Sequence, residues 1–120
     1  MLKILIRATE AVVPKVSGGL ACIEEEIKES QPNLTVKQLA PEFITIDGTI
    51  ILCQVNQRWQ VGNAAVAEIH CDVEEEVTAD GLPVDCTLTI NDKCQFAGSI
   101  DEWYAACSKL LEKEIQNSSN

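Results

Sequence analysis

This 120-residue chain has one histidine, five aromatic side chains and nine basic residues, and each scarcity removes a class of function. The nine Lys and Arg are scattered, no two of them adjacent. Nucleic acid is bound through a basic stripe that neutralises phosphates, and anionic membranes through a basic cluster. Neither partner is expected. No apolar run approaches the roughly 18 residues that cross a bilayer. The opening Leu2-Lys3-Ile4-Leu5-Ile6 is broken by Lys3 and followed by Arg7, without the apolar centre and small-residue cleavage site of a secretion signal. A cytoplasmic protein is expected.

Chemistry is also thinly supplied. With a single imidazole, His-based catalysis or metal ligation must use His70. Side chains two apart on a strand are too separated to converge on one ion, so distant residues would have to complete such a site. No C-x₂₋₄-C pair marks a zinc site, and neither G-x-S-x-G nor H-E-x-x-H occurs. No metal, cofactor or catalytic residue is expected.

The chain is rich in acids and thiols. Nineteen Asp and Glu against nine Lys and Arg give a net charge of -10, while 46% of residues are hydrophobic. That apolar share is too high for disorder, and the length suits one domain. The six cysteines, in a chain without a secretory leader, are expected to be thiols. Cys53, Cys71, Cys86, Cys94 and Cys107 fall on apolar faces as small hydrophobes. Cys22 is the exception, about 130° off the apolar stripe of its helix, and is the candidate reactive thiol.

Periodicity orders these residues. Leu2 to Ala8 reads as a first strand buried on both faces. Val16, Leu20, Ile23 and Ile27 recur with helical spacing in a helix over about 15–30. Leu34 to Leu39 is a strand. Phe43 to Val55 is a hairpin around Asp47-Gly48, apolar on both sides and therefore expected in the middle of a sheet. Arg58 to Val61 adds a short strand.

Residues 64–77 fit either period. The alternation Ala65, Ala67, Ile69, Cys71, Val73 and the poor helix propensity of Cys, Asp and Val favour a strand. Val84 to Ile90 is another strand. A three-residue turn after it would oppose Ile90 to Cys94 and Leu88 to Phe96. Ser99-Ile100-Asp101-Glu102 is a capping box opening a helix over about 100–116 with Ile100, Trp103, Cys107, Leu110 and Leu111 on one face. Residues 117–120 form a frayed tail. The sum is one α+β domain over 1–116, a mostly antiparallel or mixed sheet with both helices on one face. The other face is left open or used for dimerisation.

Two constellations are candidate sites. On the strand at 64–77, Glu68, His70, Asp72, Glu74 and Glu76 share one parity, roughly 6.6 Å apart along the strand. Such a row suits docking to a basic protein surface, although charge on a strand also serves solubility and guards an edge. The second is Lys15-Val16-Ser17-Gly18-Gly19, where a turn into the first helix could offer free amides to an anion through Lys15, Ser17, Gly18 and Gly19. Its spacing matches no phosphate-loop pattern, and a capping Ser17 with glycines admitting close packing explains it equally well. The expected function is a small acidic protein-interaction module: a non-catalytic regulator, accessory factor or inhibitor of a basic partner. A small-ligand, anion-binding or enzymatic domain at the Lys15–Gly19 turn is the alternative, and a homodimer is also compatible.

Overall fold

In the computed structural model, residues 1–46, 48–75, 77–79, 82–90 and 93–118 are described. The elements in chain order are β1 (Leu2–Ala8), α1 (Val13–Lys28), β2 (Leu34–Gln38), β3 (Glu42–Ile46), β4 (Thr49–Cys53) and β5 (Val55–Val61). After them come β6 (Ala64–Val73), β7 (Val77–Ala79), β8 (Leu82–Val84), β9 (Cys86–Ile90), β10 (Lys93–Gly98) and α2 (Ile100–Ser118). Six strands form one sheet in the order β10-β9-β1-β6-β5-β2, and β3–β4 and β7–β8 are separate two-stranded hairpins. Among the described residues, β1 and β6 run parallel as neighbours and the other pairs in the sheet are antiparallel. A single α+β domain with a mixed sheet is therefore the architecture.

Strand alternation decides the core. Ile4, Ile6 and Ala8 of β1 lie level with Ile69, Cys71 and Val73 of β6 on one side, and with Ile90, Leu88 and Cys86 of β9 on the other. Onto this face pack the helical stripes Val16, Leu20, Ile23, Ile27 of α1 and Trp103, Cys107, Leu111, Ile115 of α2, all buried. Trp59 and Trp103 are fully buried; the Trp59 indole donates to Gln57 Oε1 at 3.0 Å. The close passage of the helices uses Gly19, where a Cβ would meet the Trp103 ring at 3.0 Å.

Residues 64–73 form the long strand that the alternation favours, but it ends at Val73 rather than 77, so Glu74 and Glu75 lie past its end and Val77 opens a separate strand. α2 begins as its capping box dictates, with the Glu102 amide donating to Ser99 Oγ at 3.3 Å, and runs two residues beyond the expected end at 116. The tight turn at Gly48 has φ +77°, while Asp47 lies outside the described residues.

Several expectations need correction. The β3–β4 hairpin is not central in a sheet: it lies apart, and its two apolar sides have different fates. Helix α1 starts at Val13, so Lys15, Ser17, Gly18 and Gly19 belong to its first turns. There is no turn there, Ser17 does not cap, and the N-cap Val12 makes no side-chain hydrogen bond. Pro14, lacking an amide hydrogen, sets that start.

In the β9–β10 pair, Leu88 does oppose Phe96, but Cys94 lies opposite Thr89 and Lys93 opposite Ile90. A bulge between Cys94 and Phe96 absorbs the one-residue difference. It also leaves Cys94 exposed, its Sγ at 3.1 Å from the Phe96 carbonyl, where the apolar pattern would have buried it.

Candidate functional site

The sheet face turned away from the helices carries the polar parity of every strand. In register across it stand Lys3 and Glu68, Leu5 and His70, Arg7 and Asp72, then Asn56 beside His70 and Arg58 beside Glu68 on β5. Glu68 and Asp72 of the acidic row are thus on an interior strand, not an edge, Glu74 lies just past the end of β6, and each of the three has a cation at hand. Arg58 Nη2 lies 3.5 Å from Glu68 Oε1 and Arg7 Nε 3.3 Å from Glu74 Oε1. Burial and the nearby Glu74 push the Asp72 carboxyl above its ordinary pKa, although a hydrogen bond from the Val73 amide and the Arg7 charge oppose the rise. Glu76 lies outside the described residues. Three cations (Lys3, Arg7, Arg58) stand against three carboxylates (Glu68, Asp72, Glu74) here.

The β3–β4 hairpin folds over part of this face. Its inner side chains Ile44, Ile46, Ile51 and Cys53 pack around Leu5 in a small second core. The approach is fixed at its root, where the Asn56 side-chain amide donates to the Ala40 carbonyl at 3.1 Å. Among the described residues nothing covers the outer side: Phe43 is 70% exposed, Ile50 71% and Leu52 43%. Phe43 and Leu52 face each other directly across the hairpin. Apolar side chains clustered in this way mark contact surfaces more often than isolated ones do.

Between hairpin and sheet remains a cleft of about 270 Å³, lined by Lys3, Leu5, Ile44, Ile46, His70 and Thr89 among others. His70 is 8% exposed and stands between two carboxylates, Nδ1 at 3.8 Å from Glu42 Oε1 and Nε2 at 3.8 Å from Glu68 Oε2. Both distances exceed a direct hydrogen bond, and Nδ1 is buried without a hydrogen-bond partner. Asn56 Oδ1, on the adjoining strand, is likewise buried without a hydrogen-bond partner.

Sequence pattern singled out His70 and Glu68 but not Glu42, Lys3, Leu5 or Thr89, which come from other strands and join them only through the fold. Glu42 carries no signal in the sequence. Lys15, Ser17, Gly18 and Gly19 lie on α1, remote in the fold from His70. Cys22 is exposed, as its position off the stripe implies. Among the described residues, no group of three His, Cys, Asp or Glu is arranged to hold a metal ion, and no helix is long and apolar enough to cross a membrane. Comparison of the chain with protein-family models, with curated proteins and with solved structures returns no match.

Proposed function

We propose that this chain is a non-catalytic protein-interaction module whose contact surface is the outer side of the β3–β4 hairpin. What supports it is the trio Phe43, Ile50 and Leu52, three large apolar side chains left in water on one face of a two-stranded ribbon. Leaving them exposed forgoes about 1.5–3 kcal/mol each of burial, a cost that a partner would recover. The partner is an apolar surface edged with basic residues. Self-association through the same face would bring together two chains of net charge -10 and is opposed by their repulsion, whereas a basic rim is attracted. Glu68 and Glu74, already matched by Arg58 and Arg7, add little to that attraction. Unpaired thiols at all six cysteines suit a reducing compartment such as the cytosol.

Selection from a displayed random-peptide library against the immobilised protein tests this, with the Phe43→Asp/Ile50→Asp double variant as counter-target. Enriched peptides should combine apolar residues with Lys or Arg, lose affinity as salt rises, and fail to bind the double variant at unchanged melting temperature. Absence of enrichment, enrichment of acidic peptides, or equal binding to the double variant overturns it. A stable dimer that the double substitution dissolves would also overturn it, by giving the face to a second copy.

A further inference from the structure

We infer that the open edge of β3 takes an extended segment of the partner as a third strand of the β3–β4 ribbon. This rests on the hairpin being the contact element and adds how the partner is held. Ile46 and Thr49 flank Asp47-Gly48 and face each other, the place in a two-residue hairpin where neighbours exchange both main-chain hydrogen bonds. The antiparallel alternation gives the same exchange to Ile44 with Ile51 and to Glu42 with Cys53. The amides and carbonyls of Phe43 and Thr45 therefore point away from β4. Among the described residues nothing pairs with them. They are directional groups recurring at every second residue, and an added strand satisfies such a row.

The two ends of the main sheet are guarded against such pairing. β2 carries Lys37, and β10 carries Lys93 and a bulge, devices that keep an edge from joining another chain. β3 has no Lys, no Pro and no irregularity of register, and its one charge is Glu42 at its start. There is also room beside it. The cleft of about 270 Å³ takes Ile44, Thr45 and Ile46 from β3 and none of its lining from β4, and across it stand Lys3 and Leu5 of β1 and Thr89 of β9. A strand laid there sets alternate side chains towards Leu5, and the others continue the exposed Phe43 side. Lys3 is the charged group on the far wall, so the segment is uncharged over the sheet and basic at its ends.

The probe is the peptide acetyl-Lys-Val-Thr-Val-Thr-Val-Lys-amide, titrated into the intact chain while amide exchange with deuterated solvent is followed by NMR. Saturating peptide should slow exchange at Phe43 and Thr45 and leave Ile44 and Ile46, already paired to β4, unchanged. Two further peptides carry N-methyl groups on the valines or on the threonines. One of them lacks the amides that face β3 and should bind about tenfold more weakly or worse, the scale of one or two lost hydrogen bonds. The other, methylated on the side away from β3, should keep the parent affinity. Thr45→Pro removes an amide that β4 does not use, a change an edge strand tolerates, and should abolish binding. The inference is overturned by the absence of saturation, by methylated peptides that bind alike, or by unprotected Phe43 and Thr45 amides in the complex. Amides protected before peptide is added, in a dimer, give the edge to a second copy and also overturn it. Binding lost in Phe43→Asp/Ile50→Asp but kept in Thr45→Pro overturns the added strand and spares the apolar contact surface. Binding lost in Thr45→Pro but kept in the double variant supports the strand and overturns that surface.

Discussion

Gly19 on α1 lies beneath the indole of Trp103 on α2, so close that a Cβ would sit 3.0 Å from Cζ3. Trp103 is fully buried and has no room to withdraw. Gly19→Ala should therefore destabilise by about 1–2 kcal/mol, the strain of overpacking exceeding the gain in helix propensity. Its neighbour Gly18 has nothing within 4 Å of the same position, and Gly18→Ala should stabilise by about 0.5–1 kcal/mol. Denaturant unfolding of the two variants should give opposite signs.

The hairpin offers a similar contrast between adjacent residues. Ile51 is 5% exposed against Leu5, and Ile50 points the other way. Ile51→Ala should cost about 2 kcal/mol or more, while Ile50→Ala should stay within about 0.5 kcal/mol. Equal costs by chemical denaturation would mean that the hairpin does not rest on the sheet.

Asp72 is held above its ordinary pKa by burial and by Glu74. The folded state thus binds a proton more readily than the unfolded chain. The stability this contributes is full below the unfolded carboxyl pKa and is lost as pH rises through the folded one. Asp72→Asn should accordingly raise the melting temperature at pH 7 and leave it unchanged near pH 3, where the carboxyl is neutral in both states. A loss of stability at neutral pH would make the Arg7 charge the larger influence.

Burial pushes the thiols of Cys71, Cys86 and Cys107 up to about 12 and that of Cys53 to about 11. The thiolate is the reactive form, and these four are also out of reach of solvent. A thiol reagent at neutral pH should label Cys22 and Cys94 alone in the native protein, and all six once it is unfolded. Because the unfolded chain ionises its thiols at lower pH than the folded one, stability should decline as pH rises past the ordinary thiol range.

Much of the fold is legible in local pattern. The 4-3-4 stripe of α1, the capping box of α2, the alternation along β6 and the Asp47-Gly48 turn signal each depend on neighbours a few residues away, and each specifies its element. Pattern fails where the answer depends on a distant segment. Two apolar sides imply a central position in a sheet, yet the hairpin has one side on Leu5 and the other in water. The β9–β10 bulge escapes notice because a strict period of two has no place for an extra residue.

The sequence by itself determined the element types, the split of each strand into an apolar and a polar side, and the excess of acid. Only the tertiary structure decided what that polar side is. An acidic row read along one strand becomes a set of ion pairs once β1 and β5 bring Arg7 to Glu74 and Arg58 to Glu68. His70 becomes an enclosed imidazole between Glu42 and Glu68 because the hairpin folds back over β6. Charge adds along the chain, but its effect depends on distance and on exclusion of water. Both are set by which strands become neighbours.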